Sequence, residues 1–105
     1  MFQSSANFYV GQLIQHKLFG YRGVIIDIDP CFQHSEQWYK LMAKTNPAKG
    51  QPWYKVLVDD TDLVTYVAEQ NVVEDELHTP IHHPELERYF QSLDADHYIL
   101  KRLNN

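Results

Sequence analysis

The sequence predicts a mainly β domain built as a small antiparallel barrel, closed or half closed. Five short runs rich in β-branched and aromatic residues are separated by turn-like segments, and no strand alternates with a long helix as in parallel sheets. The length of 105 residues suits one domain, and 44% hydrophobic with 22% charged residues is typical of a globular chain. We expect a single domain over residues 1–105, with a barrel at about 8–74 and a helical extension at about 80–103.

The first two strands are predicted at residues 10–16 and 24–28, where apolar residues alternate or β-branched residues dominate. Between them, Gly20 and Gly23 are expected to let the chain reverse, since glycine adopts positive φ without a steric clash. A second hairpin is predicted from residues 53–58 and 63–68 around an aspartate-rich turn. A tight turn at 69–71 then leads into a last short strand at 72–73.

Helices are predicted outside the barrel strands. The 31–52 insertion is long for a structureless connection, and Ser35 is suited to cap a short helix that continues to about Met42. In the tail, Pro84 favours the first turn of another helix. We expect this second helix to cover the barrel with an apolar stripe formed by Leu86, Tyr89, Phe90 and Leu93. The residues that could extend that packing are Tyr98, Ile99, Leu100 and Leu103.

The charge is divided unevenly along the chain. Residues 1–57 hold six Lys and Arg against three acids, a net charge of +3, whereas residues 58–105 hold three against eleven, a net charge of -8. The total of -5 argues against strong non-specific binding of nucleic acid, so any DNA contact is expected from the first half. We also expect a cytoplasmic protein, because the chain has no long apolar run, no signal-like N-terminus and only one cysteine, Cys31.

The loop between the first two strands carries four candidate binding residues. Lys17 and Arg22 are placed to contact phosphates or a guanine edge, while Phe19 or Tyr21 offers apolar surface to a base methyl group. The alternative is a solvated hairpin with an aromatic residue tucked against the barrel. His16 is expected to be a hydrogen-bonded, partly buried residue rather than a catalytic base.

Aromatic residues of the barrel form a second candidate surface. They could line a groove for a peptide, a modified side chain or a base, although core filling is commoner. We expect Tyr54 and Tyr66 in the core and Trp38 and Trp53 at a partly exposed rim. The candidate set for DNA or partner binding is Lys17, Phe19, Tyr21, Arg22, Trp38, Trp53 and Lys55.

Neither catalysis nor metal binding is predicted. The sequence has no Gly-rich phosphate loop, no pair of cysteines and no serine in a nucleophile elbow, so we expect no enzyme activity and no cofactor. His78, His82 and His83, with Asp75 or Glu76, resemble a metal-ligand cluster only in composition. Adjacent side chains at 82 and 83 tend to point apart, so no metal site is expected.

Several blocks together resemble the YccV-like, or hemimethylated-DNA-binding, family, whose bacterial members include the heat-shock protein HspQ. The blocks are residues 10–16, Gly20-Tyr21-Arg22-Gly23-Val24-Ile25 with Asp29-Pro30, the run at 51–58, Ser35-Glu36-Gln37-Trp38 and the segment at 83–90. The resemblance implies an SH3-like barrel and binding to hemimethylated DNA. For the heat-shock members it also implies promotion of protein degradation by the Lon protease, including turnover of the replication initiator DnaA.

Three functional hypotheses follow. The first is a non-enzymatic adaptor that couples protein substrates to a Lon-type protease, with hemimethylated-DNA binding as a family activity. The second is a stand-alone reader of hemimethylated DNA, indicated by the positive first half. The third is a barrel that self-associates through the Trp38 segment or through the tail helix at 86–93.

Overall fold

The computed structural model describes residues 5–102, and the chain is mainly β in this range, as predicted. The predicted barrel strands are all present, with small shifts at their ends. Position 103, which was included in the predicted extension, lies outside the described residues. The strands are Leu13–His16 (β1), Arg22–Asp29 (β2), Trp53–Val58 (β3), Val64–Ala68 (β4), Val72–Glu74 (β5), Phe90–Asp94 (β6) and His97–Leu100 (β7); the helices are Glu36–Met42 (α1) and Leu86–Tyr89 (α2), and a 3-10 turn, Glu69–Asn71, joins β4 to β5.

Five strands form one antiparallel sheet in the order β4-β3-β2-β1-β5, and β6 and β7 form a separate hairpin. Within residues 5–102 the larger sheet does not close on itself, because β4 and β5 pair on one side only. Of the two predicted forms, closed or half closed, the fully closed barrel is not present in the hydrogen-bonding pattern of these residues. The sheet therefore has two edge strands, β4 and β5.

The two loop glycines play different parts. Gly20 has φ of +76° and its N–H donates to the carbonyl of His16 at 2.9 Å, so it makes the predicted reversal. Gly23 instead lies inside β2, where a Cβ atom would sit 2.6 Å from the carbonyl oxygen of Leu57. The prediction that Gly23 serves the turn was wrong: its missing side chain allows β2 and β3 to approach closely.

The helix of the insertion begins where the sequence predicts. The Ser35 hydroxyl accepts a hydrogen bond from the backbone N–H of Trp38 at 3.1 Å, which satisfies a donor that the first turn leaves free. Aromatic contacts then hold the insertion against β3, with the Phe32 and Trp53 rings 5.1 Å apart. No helix among residues 5–102 is long and apolar enough to cross a membrane.

The sheet separates two apolar clusters because successive strand residues point to opposite faces. One cluster fills the inner, concave side; the other lies between the opposite face and the C-terminal segment. The first contains Ile14, Ile25, Tyr54, Val56, Val67 and Val72, and the second contains Leu13, Val24, Leu57, Ile81, Phe90 and Tyr98.

The tail covers the sheet as predicted but not as the predicted helix. After the single turn of α2, Phe90 begins β6, which pairs with β7. The hairpin is fixed to the barrel because the N–H of Tyr98 donates to the carbonyl of Gly11 at 2.6 Å. Phe90 and Tyr98 are buried against the sheet, so non-local pairing and burial overrode the local helical spacing.

Candidate binding pocket

A pocket of about 320 Å³ lies where three segments meet: the β1–β2 loop, strand β4 and the 31–52 insertion. This volume is at the lower end of the range for small-molecule sites, and it also suits one or two side chains of a larger partner. Exposed apolar side chains stand at its rim, with Phe19 66%, Met42 62% and Val64 49% exposed. The molecule therefore presents apolar surface at a concave position open to a partner.

One wall of the pocket is a packed aromatic cluster. The rings of Trp53 and Tyr66 stack with centroids 5.2 Å apart, and the ring of His34 stacks on that of Trp38 at 5.1 Å. Trp53 is only 1% exposed, so the expectation that it lies at a partly exposed rim was wrong; the rings of Phe32 and Tyr66 pack against it. Its buried Nε1 has no hydrogen-bond partner within residues 5–102. The cluster is rigid because each ring is held by at least one other, which favours binding of flat or apolar groups at low entropic cost.

The opposite wall comes from the β1–β2 loop and is fixed by His16. The Nδ1 atom of His16 accepts hydrogen bonds from the backbone N–H groups of Leu18 and Phe19, at 3.1 and 3.0 Å. Its ring stacks on that of Phe19 at 4.4 Å. Burial lowers the pKa of His16, so the neutral ring that can accept both bonds is favoured, as expected for a hydrogen-bonded, buried histidine.

The loop wall is tied to β4 by one further contact. The hydroxyl groups of Tyr21 and Thr65 lie 2.9 Å apart and share a hydrogen bond. The third segment is anchored through Asn71, whose Nδ2 donates to the Thr45 hydroxyl at 3.2 Å and whose carbonyl accepts the N–H of Lys17 at 2.7 Å. These bonds hold the loop, β4 and the insertion in one arrangement around the pocket.

The lining is positively charged or neutral. Lys44 and Lys55 line the pocket, and no aspartate or glutamate lines it within the part of the chain that the structure describes. The nearby carboxylate of Asp29 accepts the Tyr66 hydroxyl at 2.6 Å, and burial together with this bond raises the pKa of Tyr66. Negatively charged or apolar groups are therefore the natural occupants.

The structure brings together five of the seven predicted binding residues. Lys17 lies next to the pocket in the exposed part of the loop but does not line it. Arg22 lies elsewhere, on the side of β2 that faces the C-terminal segment. The five residues that line the pocket are Phe19, Tyr21, Trp38, Trp53 and Lys55.

Arg22 is engaged in a buried ion-pair network. Its Nε and Nη2 donate to both carboxylate oxygens of Asp75, at 3.1 and 3.0 Å, its Nη1 donates to Asp59 at 3.0 Å, and Nη2 also donates to the carbonyl of Thr79 at 2.6 Å. The side chain of Asp75 is 1% exposed. Burial acts to raise the pKa of Asp75, but the hydrogen bonds from Arg22 and from the N–H of His78 outweigh it and lower the pKa. A guanidinium with these partners joins β2 to the C-terminal segment and is poorly placed to contact phosphates.

Sequence reasoning missed several pocket residues. Tyr66 was expected in the core, but it is half-buried and lines the pocket, because it lies opposite Lys55 on the outer face of the sheet. The pairing of Tyr66 with the charged residue Lys55 in the predicted hairpin was the signal that could have placed Tyr66 outside the core. No local pattern distinguishes the others, which lie in connections and strand ends: His34, Lys44, Thr45, Thr65 and Asn71.

A separate group of possible metal ligands differs from the one considered in the sequence. Asp59, Asp60 and His82 have ligand atoms within 4.8 Å of one another. The Asp59 carboxylate already accepts from Arg22 and from the N–H of His82 at 2.7 Å. Hydrogen bonds and ion pairing therefore account for this group without a metal.

Comparison with known families shows which family the chain belongs to. The family described as "Hemimethylated DNA-binding protein YccV like" matches residues 6–97, which include both pocket walls and most of the C-terminal hairpin. The chain belongs to the YccV-like family. Hemimethylated-DNA binding is thus the activity that the family description implies, and the YccV-like domain carries the pocket within its matched range.

Proposed function

We propose that this YccV-like protein is a non-enzymatic, cytoplasmic heat-shock adaptor of the HspQ type. It holds a segment of a protein substrate in the pocket and promotes degradation of that substrate by a Lon-type ATP-dependent protease. The strand order, with a 3-10 turn between β4 and β5, supports the single SH3-like domain that the resemblance implies. The observation that carries the proposal is a rigid aromatic pocket with two lysines and no lining carboxylate among residues 5–102.

The distribution of free cations supports a short protein segment over a long duplex as partner. Arg22 is bound by Asp75 and Asp59, and Lys49 forms an ion pair with Glu36. Two of the six cations of the first half are thus neutralised by acids of the same chain. Because duplex binding gains affinity from many phosphate contacts, this surface is better suited to a compact anionic or apolar group.

A reconstituted degradation assay tests the proposal. Purified Lon-type protease, ATP and DnaA are mixed with the chain, and the half-life of DnaA is followed on gels. We expect faster turnover with the chain present, and a loss of about threefold or more of the stimulation in the Lys44→Ala/Lys55→Ala variant, since both cations line the pocket. The matched control is Lys101→Ala, which removes an exposed cation outside the pocket. Unchanged turnover when the chain is added would exclude the adaptor role.

The second candidate is a stand-alone reader of hemimethylated DNA, favoured by the family description and by the β1–β2 loop. There Phe19 is 66% exposed, and Lys17, two residues earlier in the loop, is also exposed. The ring would contact the base methyl group and the lysine a phosphate.

Binding to unmethylated, hemimethylated and fully methylated duplexes across a salt series tests this candidate. We expect Lys17→Ala to reduce the salt slope by about 0.9, the value for one phosphate contact, and Phe19→Ala to reduce the preference for hemimethylated DNA. Arg22 is left unchanged because its substitution alters the ion-pair network. Equal weak binding to all three duplexes, unaffected by Lys17→Ala, argues against the reader.

A further inference from the structure

Hydrogen bonds at both ends of β4 fix which way its backbone groups point. At one end the N–H of Glu69 donates to the carbonyl of Pro52 at 2.9 Å, and at the other the N–H of Val58 donates to the carbonyl of Leu63 at 3.1 Å. Antiparallel strands alternate between bonded and non-bonded pairs. The bonded pairs between these two ends are therefore the second and fourth residues of β4.

The remaining residues of β4 point their backbone groups away from β3. Thr65 and Val67 bond to β3, so the N–H and C=O groups of Val64, Tyr66 and Ala68 face the open side of the sheet. No hydrogen bond of these six groups occurs within residues 5–102. Every residue of β4 also lines the pocket. Ala68 is only 1% exposed, so the accessible part of this edge is Val64 and Tyr66. The pocket wall is thus a strand edge with unused donors and acceptors at two alternate residues.

Such a row matches one kind of partner. Donors and acceptors repeated every second residue, about 6.8 Å apart, are complemented by another extended backbone and not by a duplex or a compact ligand. We infer that β4 binds an extended segment of a partner protein by strand addition, with apolar and acidic side chains of that segment entering the pocket. The acidic preference follows from Lys44 and Lys55 and from the absence of lining carboxylates among the described residues.

This inference deepens the proposed adaptor function and supplies its mode of substrate recognition. Peptide binding is measured without protease, so the adaptor role and strand addition can be refuted independently. Loss of stimulated degradation with intact peptide binding counts against the adaptor role alone. Loss of peptide binding with intact stimulation counts against strand addition alone.

The probe is a labelled ten-residue peptide in which valine alternates with glutamate, and the readout is amide hydrogen exchange by NMR. We expect the N–H groups of Val64 and Tyr66 to exchange about tenfold more slowly with peptide bound, while Thr65 and Val67 are already protected by β3. A peptide with lysine in place of glutamate should bind about tenfold more weakly at low salt.

Two comparisons separate backbone recognition from side-chain contact. Val64→Pro removes one outward N–H at a 49% exposed position, and Val64→Ala shortens the side chain but keeps that donor. We expect the proline variant alone to lose about tenfold in affinity. The second comparison uses the wild-type chain and two peptides methylated on backbone nitrogens. One peptide is methylated at the odd-numbered residues and the other at the even-numbered residues. Only the peptide whose methyl groups block the N–H groups that face β4 should lose binding.

Four outcomes would overturn the inference. They are equal affinity for both methylated peptides, unchanged exchange at the outward amides, equal affinity for the lysine peptide, and protection of the same amides by duplex DNA. Protection that appears with rising protein concentration and without peptide, together with a dimer in sedimentation velocity, would assign the edge to a second copy of this chain instead.

Discussion

Replacing Arg22 by methionine removes the partner of a buried carboxylate and keeps most of the side-chain length. Asp75 is 2% exposed, and without Arg22 its charge would be offset only by backbone N–H groups, those of His78 and Leu77. Breaking a buried ion pair by removing one partner costs about 3–5 kcal/mol. For a domain of this size, 1 kcal/mol shifts the melting temperature by about 4–8 °C, so a shift of at least about 12 °C is expected.

A double variant tests whether the unpaired charge of Asp75 causes the loss of stability in Arg22→Met. In Arg22→Met/Asp75→Leu both charges of the Arg22–Asp75 pair are absent, while Asp59 loses Arg22 but keeps the N–H of His82. Replacing a buried pair by apolar residues is often neutral or stabilising. We therefore expect the double variant to recover most of the free energy of unfolding lost by Arg22→Met. Urea denaturation of the wild type, both single variants and the double variant gives the coupling between the two positions.

Two results would refute this reasoning. One is a cost below about 1 kcal/mol for Arg22→Met, the value of an exposed pair. The other is a double variant no more stable than the single one. A phosphate-binding role for Arg22 predicts a different pattern, with weaker DNA binding at unchanged stability, so the same variant also tests the original sequence hypothesis.

Three further predictions concern the loop, the close strand approach and the tail. Burial lowers the pKa of His16 in the folded state, so the neutral ring stabilises the fold above the unfolded pKa of about 6.5. This stabilisation is lost as the pH falls from about 6.5 through the folded pKa. An NMR titration of the ring should give a midpoint below about 6.5. Gly23→Ala should cost about 1–3 kcal/mol in urea denaturation and more than Gly20→Ala, which meets no atom within 4 Å and is opposed only by its positive φ. Phe90→Ala should cost about 3–5 kcal/mol in thermal or urea unfolding, whereas Leu100→Ala, 51% exposed, should stay within about 0.5.

Each of these predictions has a contrary result. A His16 midpoint at or above 6.5 would mean that its hydrogen bonds do not favour the neutral ring. A larger cost for Gly20→Ala than for Gly23→Ala would place the constraint in the turn, as the sequence had predicted. Equal costs at Phe90 and Leu100 would mean that the hairpin does not cover the sheet.

The strands of the sheet were predictable because their signals are local. A run such as Trp53–Val58 is bounded by a proline before it and aspartates after it, and β-branched and aromatic residues dominate it. The start of helix α1 was predictable from Ser35, since capping chemistry depends on neighbouring backbone groups. These elements are stabilised by interactions visible within a few residues.

The tail and the role of Arg22 were not predictable, because both depend on residues far apart in the chain. Arg22 and Asp75 are separated by 53 positions, and no local pattern pairs them. The apolar spacing of Leu86, Tyr89 and Phe90 fits one helical face, but Phe90 is fixed by pairing with β7 and by burial against the sheet. Where local spacing and long-range pairing conflicted, burial decided the structure.

The β1–β2 loop contributes less to recognition than the sequence predicts. Of the two cations predicted there, Lys17 and Arg22, Arg22 joins β2 to the tail. The loop contributes mainly Phe19 and the His16 ring to one wall of the pocket. What remains for recognition is the opposite wall, where β4 ends the sheet. A fully closed barrel would have used those backbone groups internally, so the open edge at β4 is the feature that makes strand addition available.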